Sequence, residues 1–164
     1  MGDRAPALAA WLATAARLLL GGVFVVAGAL KLPDPAAAVR AVRAYRLLPE
    51  ALVGPAAFGL PVVEIAVGLA LLAGVFVRAS AVLSALMLAG YIAAIASAWA
   101  RGLQIDCGCF GGGGQVAAAD TAYPSEVLRD SALLLVALAL ARRPRSRLAL
   151  GDAGVHLEEI QRAR

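Results

Sequence analysis

Apolar residues fall into four blocks along the chain, and short polar segments separate them. The blocks cover residues 11–32, 55–77, 80–100 and 125–141. The first three are each long enough for a helix that crosses a bilayer, which takes about 20 mainly apolar residues. The fourth is shorter, since its uncharged part covers about 15 Å as a helix. It can cross only if Arg129 and Asp130 lie near the interface or are buried against other helices.

The two longer segments between these blocks differ in character. Residues 33–54 place Arg40, Arg43 and Arg46 among apolar residues at near-helical spacing. This pattern is typical of an amphipathic helix at a membrane surface. Residues 101–124 contain four consecutive glycines and few apolar residues, which favours an irregular loop. We therefore predict an all-α integral membrane four-helix bundle, with a short interfacial amphipathic helix between spans 1 and 2.

The composition agrees with a membrane protein and excludes an ordinary soluble domain. Apolar residues make up 62% of the 164 positions and charged residues 16%, where soluble domains average about 45–50% and 25%. A net charge of +4 can indicate nucleic-acid binding in a soluble protein. Here the arginines lie beside apolar blocks, where they anchor helices. We therefore expect membrane lipid, and no nucleic acid, as a partner.

The arginines also set the predicted orientation. A basic cluster follows the fourth block, at Arg142, Arg143, Arg145 and Arg147. Cytoplasmic loops carry an excess of basic residues, and with this cluster the side of the termini has six near the membrane against five on the other side. We therefore expect a multi-pass plasma (inner) membrane protein with both termini cytoplasmic. Residues 1–141 would form the membrane domain, and residues 142–164 a basic cytoplasmic tail. The loop 101–124 would then be extracytoplasmic, where disulfides persist.

Charged residues inside the blocks mark a candidate buried site. Basic and small residues share one helix face of the first block, at Arg17, Gly21, Phe24, Gly28 and Lys31. Glu64 lies about nine residues into the second block, where an unpaired carboxylate would cost several kcal/mol or take up a proton. Arg17, Lys31 or Arg129 could pair with it. Two interpretations stay open: an ion pair that fixes the helices, or a proton or quinone-headgroup site formed by Glu64, Lys31 and Arg17.

The loop carries the only two cysteines, Cys107 and Cys109, separated by Gly108. A disulfide in so small a ring is strained and easily reduced, and glycine permits the backbone angles that closure needs. The spacing predicts a redox pair that forms a mixed disulfide with a partner thiol and then resolves it. The electrons would pass on to a second thioredoxin-like protein or to a quinone. Arg101 or Arg129 would favour the reactive thiolate if either folds close to it.

Other uses of the cysteines fit the sequence less well. Inert buried thiols are common, but a glycine-rich loop is a poor place to bury them. A closed metal site needs about four ligands, and the single histidine, His156, lies across the membrane in the predicted topology. We therefore expect no metal, unless two chains pool their sulfur atoms.

Four motifs follow one another along the chain. They read Gly28-x-x-Lys31-Leu32-x-Asp34-Pro35, Tyr45-Arg-Leu-Leu-Pro49, Leu60-Pro61-x-x-Glu64-x-x-x-Gly68 and Cys107-Gly-Cys109-Phe110-Gly111. In this order they resemble the methylamine utilisation (MauE) family within the DoxX-like membrane proteins. The resemblance covers about residues 11–141. It departs from the family in the glycine run 111–114 and in the tail.

The resemblance implies a four-helix membrane protein associated with redox or disulfide chemistry. The family is linked to maturation of methylamine dehydrogenase, whose small subunit is rich in disulfides, and is thought to act with a thioredoxin-like partner. Carried over to this chain, Cys107 and Cys109 are the redox pair. Lys31 and Glu64 are residues of the family pattern without an assigned role.

We therefore expect a membrane thiol–disulfide oxidoreductase that serves exported proteins through an extracytoplasmic thioredoxin-like partner, with a quinone as the candidate cofactor. The alternative is a non-enzymatic DoxX-like subunit that scaffolds a redox complex. A small transporter is a third class, and the lack of inverted repeats argues against it.

Overall fold

The computed structural model describes residues 4–142, with side chains from residue 8 onward. This part of the chain contains the helices α1 (Arg4–Lys31), α2 (Pro35–Ala44), α3 (Glu50–Ala73), α4 (Val77–Ala100) and α5 (Tyr123–Arg142). The strands β1 (Ile105–Asp106) and β2 (Gly114–Gln115) and a short 3₁₀ helix lie between α4 and α5. The all-α membrane class is confirmed. The description ends at residue 142, so the rest of the predicted basic tail, including His156, lies outside the described residues.

Three of the described helices are long and apolar enough to cross a membrane. They are Leu8–Lys31, Glu50–Ala73 and Val77–Ala100. The helix α5 is not among them, because Glu126, Arg129 and Asp130 fall in its first half. A fourth crossing by α5 therefore stays a prediction.

The turn between α3 and α4 lies earlier than the sequence predicts. The apolar pattern continues to residue 77, yet α3 ends at Ala73 because Gly74 adopts a left-handed conformation with φ of 72°. Its N–H bonds the carbonyls of Ala70 and Leu71, which is a usual way to end a helix. The next helix begins at Val77, so Arg78 lies in the first turn of α4 rather than in the connection.

Small residues hold α1 and α3 together, as the predicted face of α1 requires. A Cβ on Gly21 would lie 2.9 Å from the carbonyl oxygen of Gly68, and a Cβ on Gly68 would lie 2.8 Å from that of Gly21. The two backbones therefore touch at this point. The helices α4 and α5 pack along each other, and α1 also contacts α5.

The helix α2 covers α3 and the hairpin. Pro35 begins it, and the Asp34 side chain caps it by accepting the Ala37 N–H at 2.9 Å. Its buried residues are Ala37, Ala38 and Ala41, so small alanines form the buried face of this helix. A position of α2 at a membrane surface stays a prediction.

Candidate functional site

The cysteine loop is a hairpin whose tip folds flat against α2. In β1 and β2, Ile105 pairs with Gln115 and Asp106 with Gly114. The tip between them has positive φ at Gly108 and at every position of the glycine run 111–114, a conformation that other residues rarely adopt. A Cβ on Gly113 would lie 2.6 Å from the Cβ of Ala41. The glycine run thus lets the loop approach α2 closely.

Two tyrosines fix this loop to the helices. Tyr45, just after α2, donates its hydroxyl to the Cys107 carbonyl at 3.2 Å. Tyr123 in α5 accepts the Ile105 N–H at 3.1 Å and donates to the Leu103 carbonyl at 2.6 Å. These bonds hold the backbone at Cys107 and on the N-terminal side of the cysteine pair. The sequence showed Tyr45 only as part of a family motif and gave no signal for Tyr123.

Cys107 and Cys109 are both free, partly buried thiols in direct contact. The Cys109 N–H donates to Cys107 Sγ at 3.2 Å. Hydrogen bonding from the Cys109 thiol lowers the pKa of Cys107, with a further contribution from Arg129. The same hydrogen bond, together with burial, raises the pKa of Cys109. Cys107 is therefore the sulfur that more readily carries negative charge.

Arg129 is the cation beside the cysteines. Its Nη2 lies 4.0 Å from Cys107 Sγ, its Nε donates to Asp130 Oδ1 at 2.9 Å, and its guanidinium stacks 4.8 Å from the centre of the Phe110 ring. Of the two arginines that could favour the thiolate, the structure thus places Arg129 there. Arg101 instead donates to the carbonyls of Ser97 and Tyr45.

The structure brings Lys31 and Glu64 together. Lys31 Nζ lies 2.6 Å from Glu64 Oε1 and 2.7 Å from Oε2, and the Tyr91 hydroxyl donates to Oε1 at 2.7 Å. Arg17 lies elsewhere and donates to the carbonyls of Leu71 and Leu72, near the end of α3. That point is about 10 Å along the helix from Glu64. Of the three candidate partners for Glu64, the structure therefore selects Lys31.

A cavity of about 270 Å³ connects the buried ion pair with the cysteine loop. Lys31 and Tyr91 contribute to its wall, and so do Cys107 and Cys109. Most of the remaining lining is apolar, from α2, α3 and the segment between them, including Ala41, Leu48, Ala57 and Leu60. The cavity thus links the cysteine loop to Lys31, one of the three residues of the predicted charged site. Tyr91 of α4 also lines this space.

One group of potential metal ligands occurs among the described residues. Ligand atoms of Asp106, Cys107 and Glu126 lie within 4.8 Å of one another. Three ligands fall short of the four in a closed zinc site. The guanidinium of Arg129 beside Cys107 also puts a positive charge where a cation would bind. The expectation of no metal stays a prediction.

Comparison with known proteins identifies the family. The model of the family "Methylamine utilisation protein MauE" matches residues 9–143. The chain is 37% identical over 131 residues to the methylamine utilization protein MauE of Paracoccus denitrificans, covering 77% of this chain and 67% of that protein. No solved structure matches it. The chain thus belongs to the methylamine utilisation protein MauE family, and the three apolar helices within residues 4–142 make it a multi-pass membrane protein.

Proposed function

We propose that this protein is a membrane thiol–disulfide redox protein with an accessory role in methylamine utilisation. Cys107 and Cys109 would exchange electrons with a thioredoxin-like protein outside the cytoplasm, in support of disulfide formation or maturation of exported proteins. The observation that supports this most is the contact between two free thiols, of which Cys107 Sγ accepts the Cys109 N–H and lies beside the Arg129 guanidinium. Such an asymmetric pair suits one exchanging and one resolving sulfur.

We infer the roles of the two cysteines from their unequal environments. The Cys107 thiolate attacks a partner disulfide, forms a Cys107–partner disulfide and releases the second partner sulfur as a thiolate. Cys109 then loses its proton and attacks Cys107, so that the internal disulfide forms and the partner leaves fully reduced. In the reverse direction the same mixed disulfide forms on Cys107, and Cys109 is the leaving sulfur. The partner disulfide accepts two electrons in the first case and is regenerated in the second.

The apolar cavity favours a quinone as the second electron carrier. Two thiols and a quinone give one disulfide and one quinol, so electrons and protons balance. The cavity wall includes both cysteines and is mainly apolar, which suits the ring and tail of a lipid-soluble carrier. Lys31 and Tyr91 would supply the few polar groups that orient such a ligand. Arg17 has no part in this proposal, since it bonds the end of α3.

Trapping of the mixed disulfide tests the exchange. In cells that express the full-length protein, Cys109→Ser should accumulate a reductant-sensitive adduct with an exported thioredoxin-like protein. Cys107→Ser should not, although it differs by the same single atom. In the wild type, alkylation followed by mass measurement should show a Cys107–Cys109 disulfide that reductant opens. Two thiols that stay free under oxidant would contradict the proposal.

Labelling of the same cysteines can show on which side of the membrane their loop lies. We propose that the loop is extracytoplasmic and that both termini are cytoplasmic, which requires α5 to cross. A membrane-impermeant maleimide should label reduced Cys107 in intact cells or spheroplasts. Labelling only after the membrane is broken would place the loop in the cytoplasm and remove it from the exported partner.

A non-enzymatic scaffold is the second candidate, and the closed arrangement of buried charges favours it. Both carboxylate oxygens of Glu64 accept hydrogen bonds, from Lys31 and Tyr91, and Arg17 donates to carbonyls at the end of α3. A purely structural role, in which these groups hold the helices together, explains such contacts. A scaffold predicts that a Cys107→Ser/Cys109→Ser protein still supports growth on methylamine in a strain that depends on it. The redox proposal predicts that it does not.

A further inference from the structure

Cys109 lies between two spaces of different size. On one side is the apolar cavity. On the other is a void of about 20 Å³ whose lining includes Cys109 and Asp130. A void of this size can hold one water molecule where polar groups surround it. A thiol and a carboxyl group thus border a space that a single water would fill.

Asp130 is a buried carboxyl group with one oxygen unused. The residue is 3% exposed. Its Oδ1 accepts the Nε of Arg129 at 2.9 Å, whereas its Oδ2 has no hydrogen-bond partner among the described residues. A buried oxygen without a partner is costly. The unpartnered oxygen of Asp130 lies beside the redox pair and is therefore a candidate for a chemical role.

The other charged and titratable groups around the void are already engaged. From α3 and α4, Glu64 and Tyr91 bond each other, and Lys31 of α1 completes that group. From α5, Arg129 is held by Asp130 itself. Two carboxyl groups line the void, Glu64 and Asp130. Among the described residues, Asp130 is the one of the two with an oxygen that has no hydrogen-bond partner. Glu126, one turn earlier on α5, also has an unpartnered buried oxygen, but it does not line the void and lies with Asp106 and Cys107.

The exchange mechanism needs a proton acceptor at this place. A thiolate, not a thiol, is the attacking sulfur. In the dithiol form, the hydrogen bond with Cys107 and burial raise the pKa of Cys109. Burial still acts on this thiol in the mixed disulfide, so a nearby proton acceptor would assist its ionisation. The loop's own carboxyl group, Asp106, accepts the Gly108 N–H with its Oδ1 and does not line the void.

We propose that Asp130 takes the proton of Cys109 during disulfide closure and returns it during opening, through a water in the small void. This assignment rests on the proposed function. In closure, the Cys109 S–H bond breaks, the proton moves through water to Asp130 Oδ2, and the thiolate attacks the sulfur of Cys107 in the mixed disulfide. The partner sulfur leaves as a thiolate and takes its proton from solvent. In opening, Cys109 leaves as a thiolate and Asp130 protonates it.

The test follows closure of the pair in the purified full-length protein in detergent. One equivalent of an aromatic disulfide that releases a coloured thiolate is added to the reduced protein. Cys107 releases the first coloured thiolate, and closure by Cys109 releases the second. In Asp130→Asn the second release should slow by about tenfold or more near neutral pH, while the first stays within about twofold. The defect should shrink at high pH, where hydroxide takes the proton.

Two further variants separate proton transfer from a structural effect. Asp130→Glu keeps a carboxyl group and should restore most of the second rate. Glu126→Gln removes the other buried carboxylate of α5 and should leave the second rate unchanged. The assignment is overturned if Asp130→Asn closes as fast as the wild type, if Asp130→Glu does not recover, or if Glu126→Gln slows closure equally. A wild type that releases only one thiolate would overturn the proposed function together with this assignment.

Discussion

Lys31 and Glu64 form an ion pair between α1 and α3 with both carboxylate oxygens in use, at 2.6 and 2.7 Å from Lys31 Nζ. The Glu64 side chain is only 2% exposed and that of Lys31 13%. Tyr91 from α4 donates to the same carboxylate. Three helices therefore meet at one satisfied carboxyl group.

Breaking this pair from one side should be more harmful than removing both charges. Lys31→Met leaves a buried carboxylate, and Glu64→Gln leaves a buried ammonium, and loss of one partner of a buried pair costs about 3–5 kcal/mol. The double variant Lys31→Met/Glu64→Gln should recover part of this loss. Thermal unfolding in detergent measures it. Arg43→Gln, which breaks the exposed pair with Glu50, is the control and should change little. Fully additive single effects would show that the two charges do not depend on each other.

The contact between Gly21 and Gly68 predicts a strong position effect among the glycines of α3. Gly68→Ala places a Cβ 2.8 Å from the Gly21 carbonyl and should destabilise the protein by about 1–3 kcal/mol through overpacking. Gly59→Ala is the matched control, because a Cβ there meets nothing within 4 Å. It should stabilise the helix by about 0.5–1 kcal/mol. Equal unfolding midpoints for the two variants would contradict the close approach.

The sequence predicted the helices better than the relations between them. Apolar length defines α1, α3 and α4, because a bilayer requires it. Their exact ends depend on single backbone conformations, such as the left-handed Gly74, which an apolar pattern does not reveal. The spacing in the first block predicts a helix face of basic and small residues, and in the structure this face of α1 packs on α3.

For the candidate site as well, the sequence predicted individual residues better than their arrangement. Charge in an apolar block singles out Glu64, and the spacing of two cysteines singles out the loop. The rotation of α1, α3 and α4 about their axes decides which cation reaches Glu64. It also brings Tyr91 and the cysteine loop to the same cavity. That rotation is fixed by packing between residues distant in sequence. Arg17 shares a helix face with Lys31 but lies about 21 Å away along α1, so it meets the end of α3 and bonds Leu71 instead.

The pKa of Cys107 predicts its alkylation profile. Hydrogen bonding from Cys109 and the nearby Arg129 lower this pKa, so iodoacetamide should modify Cys107 at a lower pH than an ordinary thiol. Cys109→Ser weakens the hydrogen bond, and Arg129→Gln removes the charge. Each should move the alkylation midpoint to higher pH, and the double change should move it further. A midpoint that does not respond to either substitution would remove the basis for Cys107 as the exchanging sulfur.

Filling the apolar cavity should separate quinone reduction from exchange with a protein partner. Ala57 in α3 lines the cavity, whereas Ala66 in the same helix is exposed. Ala57→Leu should slow the reduction of an added quinone by the dithiol form several-fold, as measured by quinone absorbance. Ala66→Leu adds the same atoms outside the cavity and should not. Release of a coloured thiolate by Cys107 should be normal in both. Equal quinone reduction in the two variants would place the acceptor outside the cavity.

The contact between the glycine run and α2 predicts that Gly113 shields Cys109. Gly113 has a φ of +87°, and a Cβ there would lie 2.6 Å from the Ala41 Cβ and 2.8 Å from Gly108 Cα. Gly113→Ala should therefore push the loop from α2, lower the unfolding midpoint and raise the rate at which Cys109 is alkylated in Cys107→Ser protein.

The control for this prediction is Gly102→Ala. Gly102 also has a positive φ, +65°, but a Cβ there meets nothing within 4 Å. It should show only the backbone strain of a left-handed alanine, about 1–2 kcal/mol, with unchanged access to Cys109. If both variants expose Cys109 equally, backbone strain alone opens the loop. If neither does, the packing of Gly113 on Ala41 does not protect the thiol.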